Sequence, residues 1–222
     1  IVDFDPQGAA SVGLGINTLD MDQPIYTLLM NPRADVPATI CQTATENLDI
    51  LPANIDLSAA EVQLVNEVAR ESALARVLRH VEAEYDVILI DCQPSLGLLA
   101  VNALTAAHGV IVPVEAEFFA LRGVALLVET IETVRDRINP RLKIDGIVAT
   151  MVDLRTLHSR EVLERLQEAF GDLIFDTRIG RTIKFPDASV ATEPIISYAP
   201  NHAGAHAYRR LAREIIARGD AA

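Results

Sequence analysis

The chain has 222 residues, half of them hydrophobic, which is enough to bury one substantial core, so we expect a single domain over residues 1–222. The formal net charge of −12 excludes a uniformly basic nucleic-acid-binding surface. The charge is uneven, because residues 1–140 hold 7 Lys and Arg against 20 Asp and Glu, whereas residues 141–222 hold 12 against 11. Two distant cysteines exclude a disulfide framework, and no apolar run reaches the roughly 20 residues of a membrane span, so we expect a cytoplasmic protein.

Short apolar runs bounded by turn residues alternate with amphipathic helical patterns along the chain. The predicted buried strands are residues 1–4, 48–51, 87–90, 110–114 and 144–149. The predicted helices are residues 58–81, which open with a capping-box spacing at Ser58 and Glu61, followed by 121–138, 161–170 and 205–217. This alternation predicts an α/β fold of three layers, with a mostly parallel central sheet and helices on both faces.

An acidic residue follows the predicted strand 87–90. Asp91 stands at its carboxyl end, the edge where open α/β sheets bind ligands. In P-loop NTPases an acid at this place holds the magnesium ion that bridges the β- and γ-phosphates, directly or through water. The next residues, 92–97, contain Pro94 and Gly97 and suit a loop that senses a γ-phosphate. A strand that ends in Asp is also common in ordinary turns, so this alternative stays open.

Two more acids follow the first strand. Asp3 and Asp5 are two residues apart, and because side chains in a strand alternate with period two, we expect both to point to the same side. A carboxylate there can orient an attacking water or hold a metal-bound water. The alternative is a solvated acidic loop.

Several segments in order along the chain resemble the ParA/Soj family of partitioning ATPases, which are P-loop NTPases of the deviant Walker A type and the SIMIBI class. These segments are residues 3–8 (DFDPQG), 51–57 (LPANIDL), 90–97 (IDCQPSLG), 150–156 (TMVDLRT) and 198–208. Together they cover nearly the whole chain in family order. The resemblance implies the P-loop NTPase fold, with ATP and Mg²⁺ as cofactors.

The resemblance also implies roles for individual residues. Asp5 would position or activate the hydrolytic water with Asp3 beside it, and Asp91 would serve the magnesium ion through water. The nucleotide would contact Pro94, Met151, Pro186 and Asp187, of which the last three would lie near the adenine. The resemblance further implies an ATP-sandwich homodimer, non-specific binding to double-stranded DNA on the nucleoid, and a ParB-like protein that stimulates hydrolysis.

Four basic residues fall where related proteins gather positive charge for duplex binding: Arg155, Arg160, Arg181 and Lys184. The alternative is a set of solvated side chains paired with the acids nearby, namely Asp153, Glu161, Asp176 and Asp187.

One departure from the family concerns the beginning of the chain. The chain opens at Ile1 in the middle of a predicted strand, and its sequence contains no P-loop. We therefore expect a fragment that lacks the N-terminal strand and P-loop helix and leaves an apolar groove in the sheet. Without a P-loop, we expect this fragment neither to bind ATP tightly nor to hydrolyse it. Two alternatives remain: a catalytically silent ParA-like interaction protein, and a MinD-like membrane-cycling ATPase. We expect no membrane binding, because the final helix looks docked rather than surface-inserting.

Overall fold

The computed structural model describes residues 1–18, 21, 24–31, 33–117 and 120–220. The chain divides into two compact units: residues 1–107 with 137–140, and residues 108–136 with 141–222. The single domain expected over residues 1–222 stays a prediction.

The first unit is built around a short, buried first strand. Strand β1 (Val2–Phe4) runs parallel to β4 (Ile90–Cys92), and a hairpin-like pair, β2 (Cys41–Gln42) and β3 (Asp49–Ile50), lies on its other side. The residue after β3, Leu51, bridges to Val2 in parallel, with hydrogen bonds from Leu51 N to Ile1 O (2.8 Å) and from Asp3 N to Leu51 O (3.0 Å). Strand β1 is therefore central in its unit, as an apolar, fully buried run predicts.

The fourth strand begins three residues later than the predicted run 87–90. Its ladder starts where β1 provides a partner, at the pair Val2 and Ile90. The side chains of Val87 and Leu89 are 70% and 55% exposed, so this part of the run is not the buried strand that the sequence predicts. The physical reason is that β1 is the single strand partner of β4 in the described part of the chain.

Among the described residues, six helices cover the first unit. They are α1 (Ala9–Gly13), α2 (Ile25–Met30), α3 (Val36–Thr39), α4 (Leu57–Gln63), α5 (Ala73–Leu78) and α6 (Leu98–Ala106). The apolar faces of α2 to α6 share one core with β1, in which Phe4, Leu57, Leu64, Leu74 and Leu99 are almost completely buried.

The predicted continuous helix over residues 58–81 is wrong. It is broken into α4 and α5 by 3-10 turns and by Ala69, whose φ of 53° is left-handed. The expected capping box does not form either, since Ser58 Oγ donates to Ile55 O (2.8 Å). A tertiary contact explains the break: buried Asn102 of α6 accepts from Leu74 N (3.1 Å) and donates to Arg70 O (2.9 Å), which fixes where α5 begins.

The second unit contains two long parallel strands and most of the helical residues predicted from periodicity. Strand β5 (Gly109–Glu115) pairs with β6 (Lys143–Thr150). The helices are α7 (Ala120–Arg137), α8 (Leu157–Phe170), α9 (Lys184–Val190), α10 (Ile195–Tyr198) and α11 (Ala203–Asp220), of which α9 and α10 were not predicted. The predictions of strands at 110–114 and 144–149 and of helices at 121–138, 161–170 and 205–217 are confirmed within a few residues.

Two side chains of the final helix, one turn apart, attach it to the rest of the second unit. Glu214 accepts hydrogen bonds from the backbone amides of Asp176 (2.8 Å) and Thr177 (3.0 Å). Arg218 donates to the carbonyl of Ile174 (2.8 Å) and to Glu214, and its guanidinium lies 4.1 Å from the centre of the Phe175 ring. These contacts hold α11 against the protein, as expected for a docked helix.

The carboxylate of Glu214 makes the attachment of α11 sensitive to pH. Partial burial acts to raise its pKa, but hydrogen bonds from Asp176 and Thr177 and the charge of Arg218 outweigh burial, so the pKa is lowered. A lowered pKa in the folded state contributes stability above the ordinary value of 4.5, and this contribution is lost as the pH falls through the folded-state pKa.

We therefore predict that Glu214→Gln lowers the free energy of unfolding by about 1 kcal/mol at pH 7, because a charge-assisted hydrogen bond becomes a neutral one. Urea unfolding at a series of pH values measures this, and the difference from the wild type should shrink below pH 4.5. Glu164→Gln, at an exposed position on α8, is the matched control. A loss independent of pH would contradict the assignment.

Candidate functional site

The side chain of Asp3 is completely buried at the start of the β1–α1 connection. One carboxylate oxygen, Oδ2, accepts hydrogen bonds from Ser11 N (2.8 Å) and Ser11 Oγ (2.6 Å), and the other accepts from Asp5 N (3.3 Å). Ser11 Oγ in turn accepts from Ala53 N (3.2 Å). Buried carboxylates need such donors, and here they tie β1, α1 and the segment after β3 to one point.

A tight turn carries the chain from β1 to α1 and positions Asp5. Gly8 is left-handed (φ 63°), and a side chain at this position would come within 2.9 Å of Ala53 O, so the turn requires glycine. Asp5 Oδ1 accepts from Gln7 N (2.8 Å), and Asp5 O accepts from Gly8 N (2.9 Å). Within the described residues Asp5 Oδ2 has no hydrogen-bond partner, so one oxygen of this half-buried carboxylate is available to a ligand.

Asp91 belongs to the same group of acids. It is the register partner of Asp3 on the adjacent parallel strand, so the two side chains leave the same face of the sheet. Its carboxyl is accessible to solvent, although protein atoms surround part of it. This desolvation, followed by the negative charges of Asp3 and Asp5, raises the pKa of Asp91. The structure therefore brings the three acids together at the carboxyl end of β1 and β4.

The loop after β4, residues 93–97, lies between Asp91 and helix α6. Pro94 is exposed in it, and Gln93 Nε2 donates to Ser95 Oγ (2.9 Å) and to Glu61 Oε1 of α4 (3.2 Å). Gly97 is the N-cap residue of α6. The loop thus presents amide and hydroxyl groups two to six residues after Asp91.

The chemistry of this donor set fits a hard divalent cation. Asp91 and Asp5 offer carboxylate oxygens, and the pKa of Asp91 is raised by desolvation and then by the negative charges of Asp3 and Asp5. Mg²⁺ prefers such oxygens and is typically held by one or two carboxylates while several ligands remain water or phosphate. In the described part of the chain, no three His, Cys, Asp or Glu side chains are grouped closely enough to hold a metal on their own. A magnesium ion here would be completed by water and phosphate.

The residues predicted near the adenine belong to the second unit. Met151 follows β6 and is left-handed, with a φ of 54°, a conformation that is strained for a residue with a side chain. Pro186 and Asp187 lie in the first turn of α9. The carboxylate of Asp187 is occupied by Lys184 Nζ (3.0 Å).

The four predicted DNA-binding residues also lie in the second unit, and two of them are paired as the alternative in the sequence proposes. Arg155 donates twice to Asp153 (2.8 and 2.7 Å), and these hydrogen bonds lower the pKa of Asp153 to about 2. Lys184 pairs with Asp187, whereas Arg160 and Arg181 are exposed. Arg181 N donates to Val152 O (3.1 Å) at the parallel bridge between Val152 and Gly180, which places it on the same surface as Arg155. Exposed pairs of this kind contribute little stability and leave the cations available to phosphates.

Comparison with known proteins identifies the family. A family model described as an AAA domain matches residues 1–144. The chain is 56% identical over 218 residues to an uncharacterized protein of Mycobacterium tuberculosis, covering 98% of this chain and 69% of that protein. It is 45% identical over 218 residues to the chromosome-partitioning ATPase Soj of Treponema pallidum, covering 98% of this chain and 85% of that protein. The chain belongs to the ParA/Soj family.

A solved structure confirms the fold class of this ParA/Soj protein. Cobyrinic acid a,c-diamide synthase from Mycobacterium smegmatis matches with a TM-score of 0.80 and 38% identity, covering 94% of this chain and 78% of that chain. A second crystal structure of that enzyme holds ADP and magnesium. The predicted α/β fold of P-loop NTPases is therefore confirmed. Among the described residues, no helix combines the length and the apolarity required to cross a bilayer.

The sequence analysis assigned no role in the site to three residues that shape it. Ser11 and Glu61 reach Asp3 and Gln93 from distant elements, and Gly8 is required by the nearby backbone of residue 53. Only Gly8 carried a local signal, because a glycine after Asp-Pro-Gln is typical of a left-handed turn.

The raised pKa of Asp91 predicts the effect of removing its charge. An acid with a raised pKa in the folded state destabilises the protein at pH values above that pKa, because ionisation is easier in the unfolded chain. We predict that Asp91→Asn raises the melting temperature at pH 7 without divalent cations, and that this gain disappears as the pH approaches 3.8, the ordinary value.

Differential scanning calorimetry between pH 3.5 and 8 checks this prediction. Asp86→Asn, at an exposed acid of the segment that leads into β4, is the matched control and should change little. A melting temperature lowered by Asp91→Asn at pH 7 would show that the carboxylate is stabilised rather than strained in the folded protein.

Proposed function

We propose that this protein is an ATP-hydrolysing switch of chromosome or plasmid partitioning. The observation that carries the proposal is the convergence of Asp5 and Asp91 beside the loop 93–97, at the edge of a parallel sheet where α/β proteins bind ligands. The similarity to the chromosome-partitioning ATPase Soj of Treponema pallidum over 98% of the chain supports the same function.

The proposed chemistry assigns a separate role to each carboxylate. Asp91 holds Mg²⁺ through a water ligand, and Asp5, whose Oδ2 is available, orients the water that attacks the γ-phosphate. Bound Mg²⁺ supplies positive charge that compensates the phosphate oxygens. Asp3 is buried with both oxygens engaged, so we assign it to positioning Asp5 and α1 rather than to contact with the nucleotide.

The proposed nucleotide contacts are the four residues that the family resemblance implies. Pro94 lies in the loop that follows Asp91 and would face the phosphates. Met151, Pro186 and Asp187 would lie near the adenine, and the left-handed backbone of Met151 is the kind of strain that clusters at ligand sites.

As a member of a family with partition roles, the protein acts with binding partners. We propose that these are a second copy of the chain in an ATP-sandwich dimer, non-specific double-stranded DNA and a ParB-like protein, in the cytoplasm and on the nucleoid. Arg181, Arg160, Arg155 and Lys184 would supply the phosphate contacts of the DNA surface. The exposure of Arg155, Arg160 and Arg181 and the location of all four residues in the second unit support this assignment.

The MinD-like membrane alternative has less support. The hydrogen bonds of Glu214 and Arg218 hold α11 against the backbone of residues 174–177. A membrane-surface helix would have to release these contacts to insert its apolar face.

The role of Asp5 is tested by Asp5→Ala in the full-length gene product. We expect steady-state phosphate release to fall about 100-fold or more, because positioned proton acceptors contribute at least that much, while binding of a fluorescent ATP analogue changes little. Gln7→Ala, at an exposed position of the same turn, is the control and should keep the wild-type rate. Unchanged phosphate release in Asp5→Ala would refute the role.

The DNA surface is tested by Arg181→Ala, with Arg181→Lys as the variant that preserves the charge. We expect Arg181→Ala to weaken duplex binding about equally for unrelated sequences and to reduce the slope of log K against log salt by about 1, whereas Arg181→Lys retains most of the slope. Fluorescence anisotropy titrations at several salt concentrations measure both quantities. Arg210→Ala, on α11, is the control, and a loss confined to one DNA sequence would contradict the proposal.

A further inference from the structure

The loop 93–97 is connected to α4 by one carboxylate that the proposed ATPase chemistry does not use. Glu61 Oε1 accepts a hydrogen bond from Gln93 Nε2 (3.2 Å), and the same amide nitrogen donates to Ser95 Oγ (2.9 Å). Ser95 Oγ also accepts from Gly97 N (3.4 Å). A chain of hydrogen bonds thus runs from Glu61 through Gln93 and Ser95 to the start of α6.

This connection is the main restraint on the loop. In the part of the chain that the structure describes, no other side-chain hydrogen bond joins residues 93–97 to another element; the remaining bonds lie within the loop and α6. Pro94, Ser95 and Leu96 are exposed, so packing restrains them little. The order of the loop therefore depends on Glu61.

The backbone permits the close approach of this carboxylate. Any side chain at Gly97 would overlap Glu61 Oε1, so glycine leaves the space that the carboxylate occupies. Gly97 is the N-cap residue of the nine-residue helix α6, and it has no side chain that could cap the helix. A negative charge next to a helix N-terminus is favourable, which adds to the hydrogen bond with Gln93.

The helix that carries Glu61 is itself fixed in the core. Leu57 and Ala60 of α4 and Leu64, which follows it, have no exposed surface. Glu61 is half-buried beside them, so its carboxylate is presented from a rigid element rather than from a mobile surface chain.

We propose that Glu61 is a positioning residue, which holds the loop 93–97 through Gln93 in the arrangement required to meet the γ-phosphate. The proposal rests on the function proposed above. Glu61 contacts neither nucleotide nor metal; it keeps the amide of Gln93, the hydroxyl of Ser95 and the N-terminus of α6 in one orientation. A loop ordered in advance loses less entropy when the transition state forms, so the effect belongs to kcat more than to KM.

Hydrogen exchange of the full-length protein without nucleotide tests this directly. We expect Glu61→Ala to speed exchange at the amides of Ser95 and Gly97 about tenfold, as expected when roughly 1.4 kcal/mol of local stability is lost, without changing the exchange of α5. Glu61→Gln keeps an acceptor oxygen and should restore most of the protection. Val62→Ala, at the exposed neighbouring position on α4, is the matched control.

The second arm removes the other partner of the bond. Gln93→Ala should reproduce the faster exchange at Ser95 and Gly97 with Glu61 intact, and it carries the test if Glu61→Ala does not fold. Wild-type protection in either alanine variant that folds, or equal loss in Glu61→Gln and Glu61→Ala, would overturn the proposal.

Steady-state kinetics separate this proposal from the proposed function. If the wild type hydrolyses ATP, Glu61→Ala should lower kcat at least about fivefold with little change in KM, and Glu61→Gln should recover it. Faster exchange in Glu61→Ala together with a wild type that lacks ATPase activity would reject the proposed function and leave the restraint by Glu61 standing. An active wild type with unaltered exchange in Glu61→Ala would reject the restraint by Glu61 and leave the proposed function standing.

Discussion

The structure of the candidate site depends on one buried carboxylate. Asp3 is fully enclosed, and it is stabilised by the amide and hydroxyl of Ser11 and by the amide of Asp5. Because Ser11 Oγ also accepts from Ala53 N, a single charge fixes the end of β1, the start of α1 and the segment after β3. Losing a donor would leave a charged group unsatisfied in the interior, which costs several kcal/mol in proteins, so this corner of the fold is rigid.

The rigid corner determines where the two functional carboxylates lie. Asp5 begins the turn that Gly8 closes against Ala53 O, and Asp91 is held in register opposite Asp3. Desolvation raises the pKa of Asp91, and the repulsion by the charges of Asp3 and Asp5 at the same sheet edge raises it further. The folded protein therefore stores a modest electrostatic cost that a divalent cation relieves, which is a common relation between stability and function at binding sites.

The loop 93–97, which we propose to face the phosphates, makes few contacts of its own. Its residues are mostly exposed, and its position follows from Glu61 on a helix embedded in the core. The loop that we propose to meet the ligand is thus more exposed than the helix that restrains it, and few contacts oppose its rearrangement.

Local patterns in the sequence predicted the parts of this arrangement that depend on local geometry. The period of a strand placed Asp3 and Asp5 on one side, and the apolar run before Asp91 indicated a parallel neighbour, so their convergence was foreseeable. The break in residues 58–81 was not, because it follows from Asn102, about 30 residues away in the chain, and amphipathic spacing continues across the break. The burial of Asp3 and the bond between Glu61 and Gln93 likewise depend on long-range contacts that no local pattern reports. Pairing of Arg155 with Asp153 was foreseen as an alternative and occurs.

Replacing Mg²⁺ by paramagnetic Mn²⁺ is the most direct test of whether Asp91 and Asp5 are the carboxylates nearest the metal ion. In the full-length protein with Mn²⁺ and a non-hydrolysable ATP analogue, carbon-detected NMR measures the relaxation enhancement of every aspartate carboxyl carbon. We expect the carboxyl carbons of Asp91 and Asp5 to relax fastest, with Asp3 close behind and Asp35 and Asp49 much less affected. Fastest relaxation at acids of another surface, with Asp91 and Asp5 unaffected, would contradict it.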